Sequence, residues 1–355
     1  MNPVYTAAVI GGGLGGRLSL DALKNSDRYQ LVAAADLRPD VRAALEADYP
    51  GLRTFATPQE LFEQCPVDVV CVSTYPPSHE EVALAALALP GLKGILVEKP
   101  LADTADGGRR ILTAIEKRGV PTVVPHNLRT LATPLEIVRR VKAGEIGELR
   151  LIEVQCDKWD LLNAGIHWLD FCLAASGEAP IRYVMTAGDT STRTYRDGMQ
   201  VETEAVTFVE NENGTRFVVQ TGDFVNVNVP GKGTLFRLVG SEGFIEFFGW
   251  WPGYRILNPE FPRGEFITPE EEGTTRHQRH LENLAAQMDA GTADYRLPRA
   301  SQTALEICEA AFLSMKHGCK VPFPFEGFTP PPRTDWSPGQ PYSGTGGGRN
   351  GRELE

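Results

Sequence analysis

Residues 7–16 limit the fold of this chain more than any other stretch. Ala7-Ala8-Val9-Ile10 is a short apolar run suited to a buried strand. It leads into Gly11-Gly12-Gly13-Leu14-Gly15-Gly16 and then into a helical spacing of Leu18, Leu20, Ala22 and Leu23. Gly11, Gly13 and Gly16 match G-x-G-x-x-G in the order that pattern requires, strand then turn then helix. Gly11 permits the tight turn, Gly13 lets the backbone approach a pyrophosphate, and Gly16 lets helix and strand pack closely. The N–H groups of that helix and the positive end of its dipole would then receive the phosphates.

The next apolar run, Leu31-Val32-Ala33-Ala34-Ala35, ends at Asp36, 20 residues after Gly16. An acid at this spacing accepts hydrogen bonds from the ribose hydroxyls of adenosine and repels a 2′-phosphate, which favours NAD over NADP. Arg38 keeps NADP open, because a guanidinium can pair with that phosphate. The plainer reading makes Asp36 a turn acid before Arg38-Pro39-Asp40.

Strands and helices then alternate. Thr57 and Pro58 mark a helix start, and Asp103 or Thr104 marks another. Val67 to Val72 reads as a strand that opens into Ser73, Thr74, Pro77 and His79. Those four residues should line the nicotinamide side of a cleft, although His79 alternatively caps or packs the helix from Glu80 to Leu89. Gly94-Ile95-Leu96-Val97 precedes Glu98-Lys99-Pro100. Pro100 has no N–H and biases Lys99 toward an extended backbone, so the strand ends there. Lys99 then projects from the C-terminal edge of a sheet, where open α/β sheets bind ligands. Taken alone, it reads as a solvated lysine at a strand end. Val120 to Val124 is a sixth strand, followed by His126 and Arg129. This alternation implies parallel βαβ units.

Composition narrows the function classes. Of 355 residues, 42% are hydrophobic and 23% charged, which is ordinary for a globular chain with a sizeable core. A net charge of −11 argues against a nucleic-acid backbone or an anionic membrane as main partner. No apolar run reaches a membrane-spanning length, and Met1 to Tyr5 lacks the pattern of a signal peptide. The six cysteines include no C-x-x-C pair and no Cys/His cluster with ligand spacing. Free thiols, a cytoplasmic location and no metal are therefore expected.

Farther along, Asn163 to Leu173 reads as a helix on which Asn163, His167 and Asp170 share one face. After Pro180 the apolar period becomes two, over Ile181–Ala187, Thr203–Val209, Arg216–Thr221, Thr234–Val239 and Gly243–Phe248. Asn213-Gly214 and Gly240-Ser241-Glu242-Gly243 are hairpin turns between them. Arg276, His277, Arg279 and His280 form a basic cluster, either reaching toward an acidic substrate or simply opening a solvated helix.

Several of these segments together resemble the Gfo/Idh/MocA oxidoreductase family. They are Gly11 to Gly16, Asp36, Val72-Ser73-Thr74 with Pro77 and His79, and Glu98-Lys99-Pro100-Leu101-Ala102. Lys142 to Gly147 and Gly165-Ile166-His167-Trp168-Leu169-Asp170 extend the likeness, which runs from about residue 5 to about 325. The resemblance implies an α/β chain: an N-terminal Rossmann domain, then an α/β domain with a large open, mainly antiparallel sheet. The expected divisions are 1–125, 126–325 with helix 303–317 packed back on the Rossmann domain, and 326–355 as an extended or disordered tail. It also implies a nicotinamide cofactor, a sugar, polyol or related substrate, and a homodimer or homotetramer.

The resemblance makes Lys99 and His167 the catalytic pair. Asn163 stands where the family usually has aspartate, and Lys158 to Leu162 replace its usual Gly-rich lead-in. Asparagine can orient the His167 ring but adds no charge, so the imidazole should lose its proton more easily. Expected cofactor contacts are Gly11, Gly13, Leu14, Gly16, Asp36, Arg38, Ser73, Thr74, Pro77, His79, Glu98 and Lys99. Expected substrate contacts are His126, Arg129, Trp159, Asn163 and Asp170. The expected activity is NAD(P)-dependent hydride transfer at a secondary alcohol, with His167 as base. Two alternatives stay open: redox-neutral sugar chemistry with retained NAD, and a non-catalytic sensor of dinucleotide or sugar.

Overall fold

In a computed structural model, the described residues are 3–190, 195–332 and 349–350. Most of the expected tail, 333–348 and 351–355, lies outside them. The chain divides into two compact units, residues 1–127 with 273–302, and residues 128–272 with 303–355.

The first unit is built on β1 (Tyr5–Ile10), α1 (Leu14–Lys24), β2 (Tyr29–Ala35), α2 (Pro39–Asp48), β3 (Arg53–Phe55) and α3 (Pro58–Gln64). It continues through β4 (Val69–Val72), α4 (His79–Leu87), β5 (Gly94–Val97), α5 (Ala105–Arg118) and β6 (Thr122–Val123). The six strands run in the order β3-β2-β1-β4-β5-β6, and every neighbouring pair is parallel. β4 and β5 are buried throughout, as strands covered on both faces must be, and so read as unbroken apolar runs. The order reverses between β1 and β4, the switch point outside which such sheets bind ligands. Thr57 and Thr104 cap α3 and α5 by accepting from Glu60 N and Gly107 N; each cap contributes about 1 kcal/mol.

Residues 273–302 rejoin the first unit instead of continuing the second. The helix Arg276–Ala290 buries Leu281, Leu284 and Ala285 in the same core as Leu20, Leu23 and Leu96. Gly94 makes room for it, since a Cβ there would meet Met288 Sδ at 2.8 Å and Leu284 at 3.3 Å. A continuous second domain from 126 to 325 is thus not what the contacts describe.

The second unit holds a nine-stranded sheet among the described residues. In spatial order its strands are Glu265–Ile267, Tyr254–Leu257, Phe244–Phe247, Thr234–Gly240, Leu149–Asp157, Arg216–Gly222, Glu204–Asn211, Ile181–Asp189 and Val321–Pro322. One pair, Leu149–Asp157 with Arg216–Gly222, is parallel, and the rest are antiparallel. The turns expected at Asn213-Gly214 and at 240–243 join antiparallel neighbours. One sheet face is covered by the helix Ile166–Ala175, whose ten residues are all buried. Phe171 packs edge-on against Phe236 and Phe247, at 5.3 and 5.1 Å between ring centres. Trp168 is fully buried there, as a core residue. The other face carries exposed Met185 and Val206.

The helix expected from Asn163 begins differently. Leu161–Gly165 is a π turn, closed by Gly165 N donating to Asp160 O at 3.0 Å, five residues back. The wider turn breaks the one-face spacing expected for Asn163, His167 and Asp170. Among the described residues no helix is long and apolar enough to cross a membrane. Nor do they contain a group of three His, Cys, Asp or Glu that could hold a metal ion.

Candidate active site

In the first unit the glycine turn sits at the C-terminal edge of the sheet, where β1 and β4 separate. Gly11 has φ +98°, and a Cβ there would lie 2.5 Å from Ser73 O. At Gly16 a Cβ would lie 1.8 Å from Gly11 O, so no other residue fits without moving the turn. Gly13 differs, because a Cβ there meets nothing within 4 Å. It is the N-cap residue of α1 and offers no side-chain cap, and Leu14 beside it is 89% exposed. An open backbone surface thus adjoins an uncapped helix start. That is the arrangement a pyrophosphate requires.

Asp36 lies across this turn. Its Oδ2 accepts Gly12 N at 2.8 Å and its Oδ1 accepts Arg38 N at 2.9 Å. Arg38 reaches the same carboxylate from an exposed position, with Nε at 3.4 Å. The carboxylate is therefore anchored against the turn before any ribose arrives. These residues fit an adenosine diphosphate moiety: two carboxylate oxygens for ribose, a bare backbone and a free helix start for phosphate.

Ser73 is buried and shares a hydrogen bond with Ser19, Oγ to Oγ at 3.2 Å. Thr74 Oγ1 accepts from Ser78 Oγ at 2.8 Å, over a single 3-10 turn that contains Pro77. His79 is fully buried. Its ring nitrogens face Pro100 O at 2.9 Å and Thr74 O at 3.0 Å. The ring ties the loop after β4 to the loop after β5 and presents no exposed surface to a cofactor. Burial holds its pKa below the usual histidine range.

Glu98 and Lys99 follow β5, and the Lys99–Pro100 peptide is cis. Glu98 Oε2 accepts Lys99 N at 3.2 Å, and Glu98 Oε1 lies 2.6 Å from His277 Nε2. Burial pushes the Glu98 carboxyl up, but His277, then Lys99 and His79, outweigh it and hold it below the ordinary value. The sequence left His277 in a basic cluster that either reaches toward substrate or opens a solvated helix. The structure instead buries it against Glu98, a partner 179 residues earlier in the chain. His280 turns the same way, with Nε2 3.1 Å from His126 O. His126 itself is fully buried, Nε2 lying 2.9 Å from Ser301 Oγ. It has no exposed surface for a substrate.

The second unit carries the other candidates. His167 is 5% exposed, with Trp250 edge-on to its ring at 5.4 Å. Asn163 is held by the turn that bears it: Asn163 N donates to Asp160 Oδ1 at 2.8 Å, and Nδ2 to Asp197 Oδ2 at 3.2 Å. Trp159 is 42% exposed and lies under the Arg196 guanidinium at 4.4 Å. Asp170 points elsewhere. Its two oxygens accept Nε and Nη2 of Arg129 at 2.7 and 2.9 Å, and Arg129 Nη1 also reaches Glu178 at 3.0 Å. Asp170 is fully buried, so this fork is internal to the unit. Burial opposes the Arg129 charge, yet Asp170 and Glu178 more than offset it and raise its pKa. Trp250 and Arg196 were not expected beside His167 and Asn163, because no motif spacing links them.

The profile of a family described as "Oxidoreductase family, NAD-binding Rossmann fold" matches residues 5–126. The inositol 2-dehydrogenase 2 of Saccharopolyspora erythraea is 28% identical over 249 residues, 67% of this chain and 71% of that protein. An inositol 2-dehydrogenase of Klebsiella pneumoniae is 38% identical over 90 residues, 25% of this chain and 26% of its own length. Among solved structures, an oxidoreductase domain protein from Kribbella flavida has TM-score 0.78 at 17% identity, covering 91% of this chain and 100% of that one. An oxidoreductase from Agrobacterium radiobacter, solved with NAD+, L-tartaric acid and magnesium, has TM-score 0.75 at 17% identity, covering 90% and 98%. At that identity the two structures speak to the fold alone.

Proposed function

We propose that this chain, whose residues 5–126 match the profile of the NAD-binding Gfo/Idh/MocA oxidoreductases, oxidises a secondary alcohol of a sugar, polyol or related compound. The observation that carries this reading is the open Gly13 turn beside an anchored Asp36, on the sheet edge from which Lys99 follows β5. NAD, when bound, supplies nicotinamide C4 as the hydride acceptor. The alcohol carbon cannot release its hydride unless the hydroxyl proton also leaves, so a positioned base is required. His167 takes that proton at an imidazole nitrogen, in surroundings from which water is largely excluded. Lys99, by the family resemblance, is assigned the role of stabilising alkoxide character as it develops. Asn163 orients without adding charge. Trp159, half exposed at the mouth of the π turn, is the substrate contact this reading retains. The Arg129–Asp170 fork and buried His126 act as supports.

NAD is favoured over NADP, because the Asp36 carboxylate repels a 2′-phosphate. Asp36→Ala is expected to weaken NAD binding roughly 10- to 100-fold, the worth of charge-assisted hydrogen bonds to ribose, with a smaller effect on NADP. Isothermal titration of both dinucleotides measures it. Equal losses for the two would remove Asp36 from the discrimination. The exposed sheet face at Met185 and Val206 supports a homo-oligomer, and a sedimentation mass of a single chain would rule that out.

The reaction is tested by anaerobic mixing of protein and NAD with sugars, polyols and sugar acids, following absorbance of reduced nicotinamide. An alcohol-dependent rise is expected. Product formation with the cofactor retained and no net reduction would replace this reading with redox-neutral chemistry. Tight binding without any chemistry would replace it with a sensor.

A further inference from the structure

Beneath the π turn lies a buried acidic cluster that the proposed reaction does not use. Asp160 and Glu202 are 0% and 1% exposed. Both grip the same short segment, Asp160 Oδ1 through Asn163 N and Glu202 Oε1 through Leu161 N at 2.7 Å. Thr221 Oγ1 donates to the same Glu202 oxygen at 2.5 Å. Arg196 Nη1 pairs with Asp160 Oδ2 at 2.9 Å and lies over Trp159. The second Glu202 oxygen, Oε2, is enclosed and has no hydrogen-bond partner. An enclosed, half-satisfied carboxyl costs stability, so its position calls for a reason. A π turn is the rarer geometry, and carboxyls on its first N–H groups are the outside support that fits it.

We infer that Glu202 is a positioning residue, whose carboxyl seats the π turn and thereby fixes Asn163 within it and His167 just beyond it. The inference deepens the proposed reaction and rests on that reading of His167 and Asn163. Its first consequence is a pH dependence. Burial and then the Asp160 carboxylate push the Glu202 carboxyl up to about 7. Among the described residues, Asp160 and, paired with Asp160, Arg196 bring charge to it. From the helix Arg296–His317 the Cys308 thiol faces both acids, and burial together with their charge pushes its own pKa up. Leu161 and Thr221 bring no charge. The folded state therefore holds a proton that the unfolded chain releases near the ordinary glutamate value. Stability from this group is full below that value, falls as pH rises through about 7, and is level above it.

Two variants of the full chain test the inference. Glu202→Gln keeps an oxygen for Leu161 N but cannot ionise, whereas Glu202→Ala leaves the turn unseated. Thermal unfolding between pH about 4 and about 8 should show the wild type losing several degrees relative to Glu202→Gln as Glu202 ionises. The imidazole titration of His167, followed by proton NMR and assigned with His167→Gln, should shift in Glu202→Ala and return in Glu202→Gln. In turnover, Glu202→Ala should lower kcat by roughly 10- to 100-fold with NAD affinity unchanged, and Glu202→Gln should restore most of it. Parallel melting curves for wild type and Glu202→Gln would overturn the inference. So would an unmoved His167 titration in Glu202→Ala. If the wild type oxidises no alcohol, the proposed reaction fails, and the melting and imidazole readouts still decide the role of Glu202.

Discussion

Lys99→Ala is expected to lower kcat by about 10²- to 10⁴-fold, the range for losing a group that handles a proton or holds a developing alkoxide. The loss should be confined to chemistry. Glu98 takes Lys99 through its backbone N–H, so the substitution leaves that hydrogen bond, and with it Glu98–His277, in place. NAD affinity should change by less than about threefold, under ~1 kcal/mol. Stopped-flow reduction of NAD alongside equilibrium titration separates the two quantities. Lys99→Arg should not rescue the rate, because a planar fork cannot stand in for a compact ammonium at one oxygen. An alanine variant with full turnover and NAD bound would remove Lys99 from the mechanism.

Arg129→Ala should unfold at much lower denaturant, a loss of about 3–5 kcal/mol, because it strands a buried carboxylate. Asp170 is fully enclosed and spends both oxygens on the Arg129 fork. Removing the pair together, with Arg129→Met and Asp170→Leu, should recover much of the loss, since the stranded charge goes with its partner. Trp159→Ala offers the contrast: a half-exposed ring whose loss should change KM more than stability. Chemical denaturation of the single and double variants, beside their KM values, decides between support and substrate contact. Wild-type stability in Arg129→Ala with a raised KM would return Arg129 to the substrate.

These expectations divide along a physical line. The glycine turn and the acid beside it were legible because their constraints are local. Gly11 and Gly16 are required by backbone atoms close by in the turn, and Asp36 by a fixed spacing from it. The second sheet was legible for a similar reason: its period of two and the turns at Asn213-Gly214 and 240–243 are properties of adjacent residues. Asn163 was expected at the start of an α-helix and lies instead on a π turn. An i, i+4 count assumes an α-helix, and the two acids that stabilise a π turn here lie before and after it in the chain.

From its own residues the chain determined a strand–turn–helix closed by a glycine turn, a lysine at the sheet edge and a histidine on a buried helix. Each of these follows from contacts between residues close in sequence. Only the tertiary structure decided what supports them. It returned residues 273–302 to the first unit, placed His277 on Glu98, and closed His126 against Ser301. It also joined Arg129 to Asp170 and set Glu202 beneath Leu161. These partners are 41 to 179 residues apart. A charge buried by folding needs a counter-charge or donor at one point in space, and one-dimensional spacing carries no record of that point.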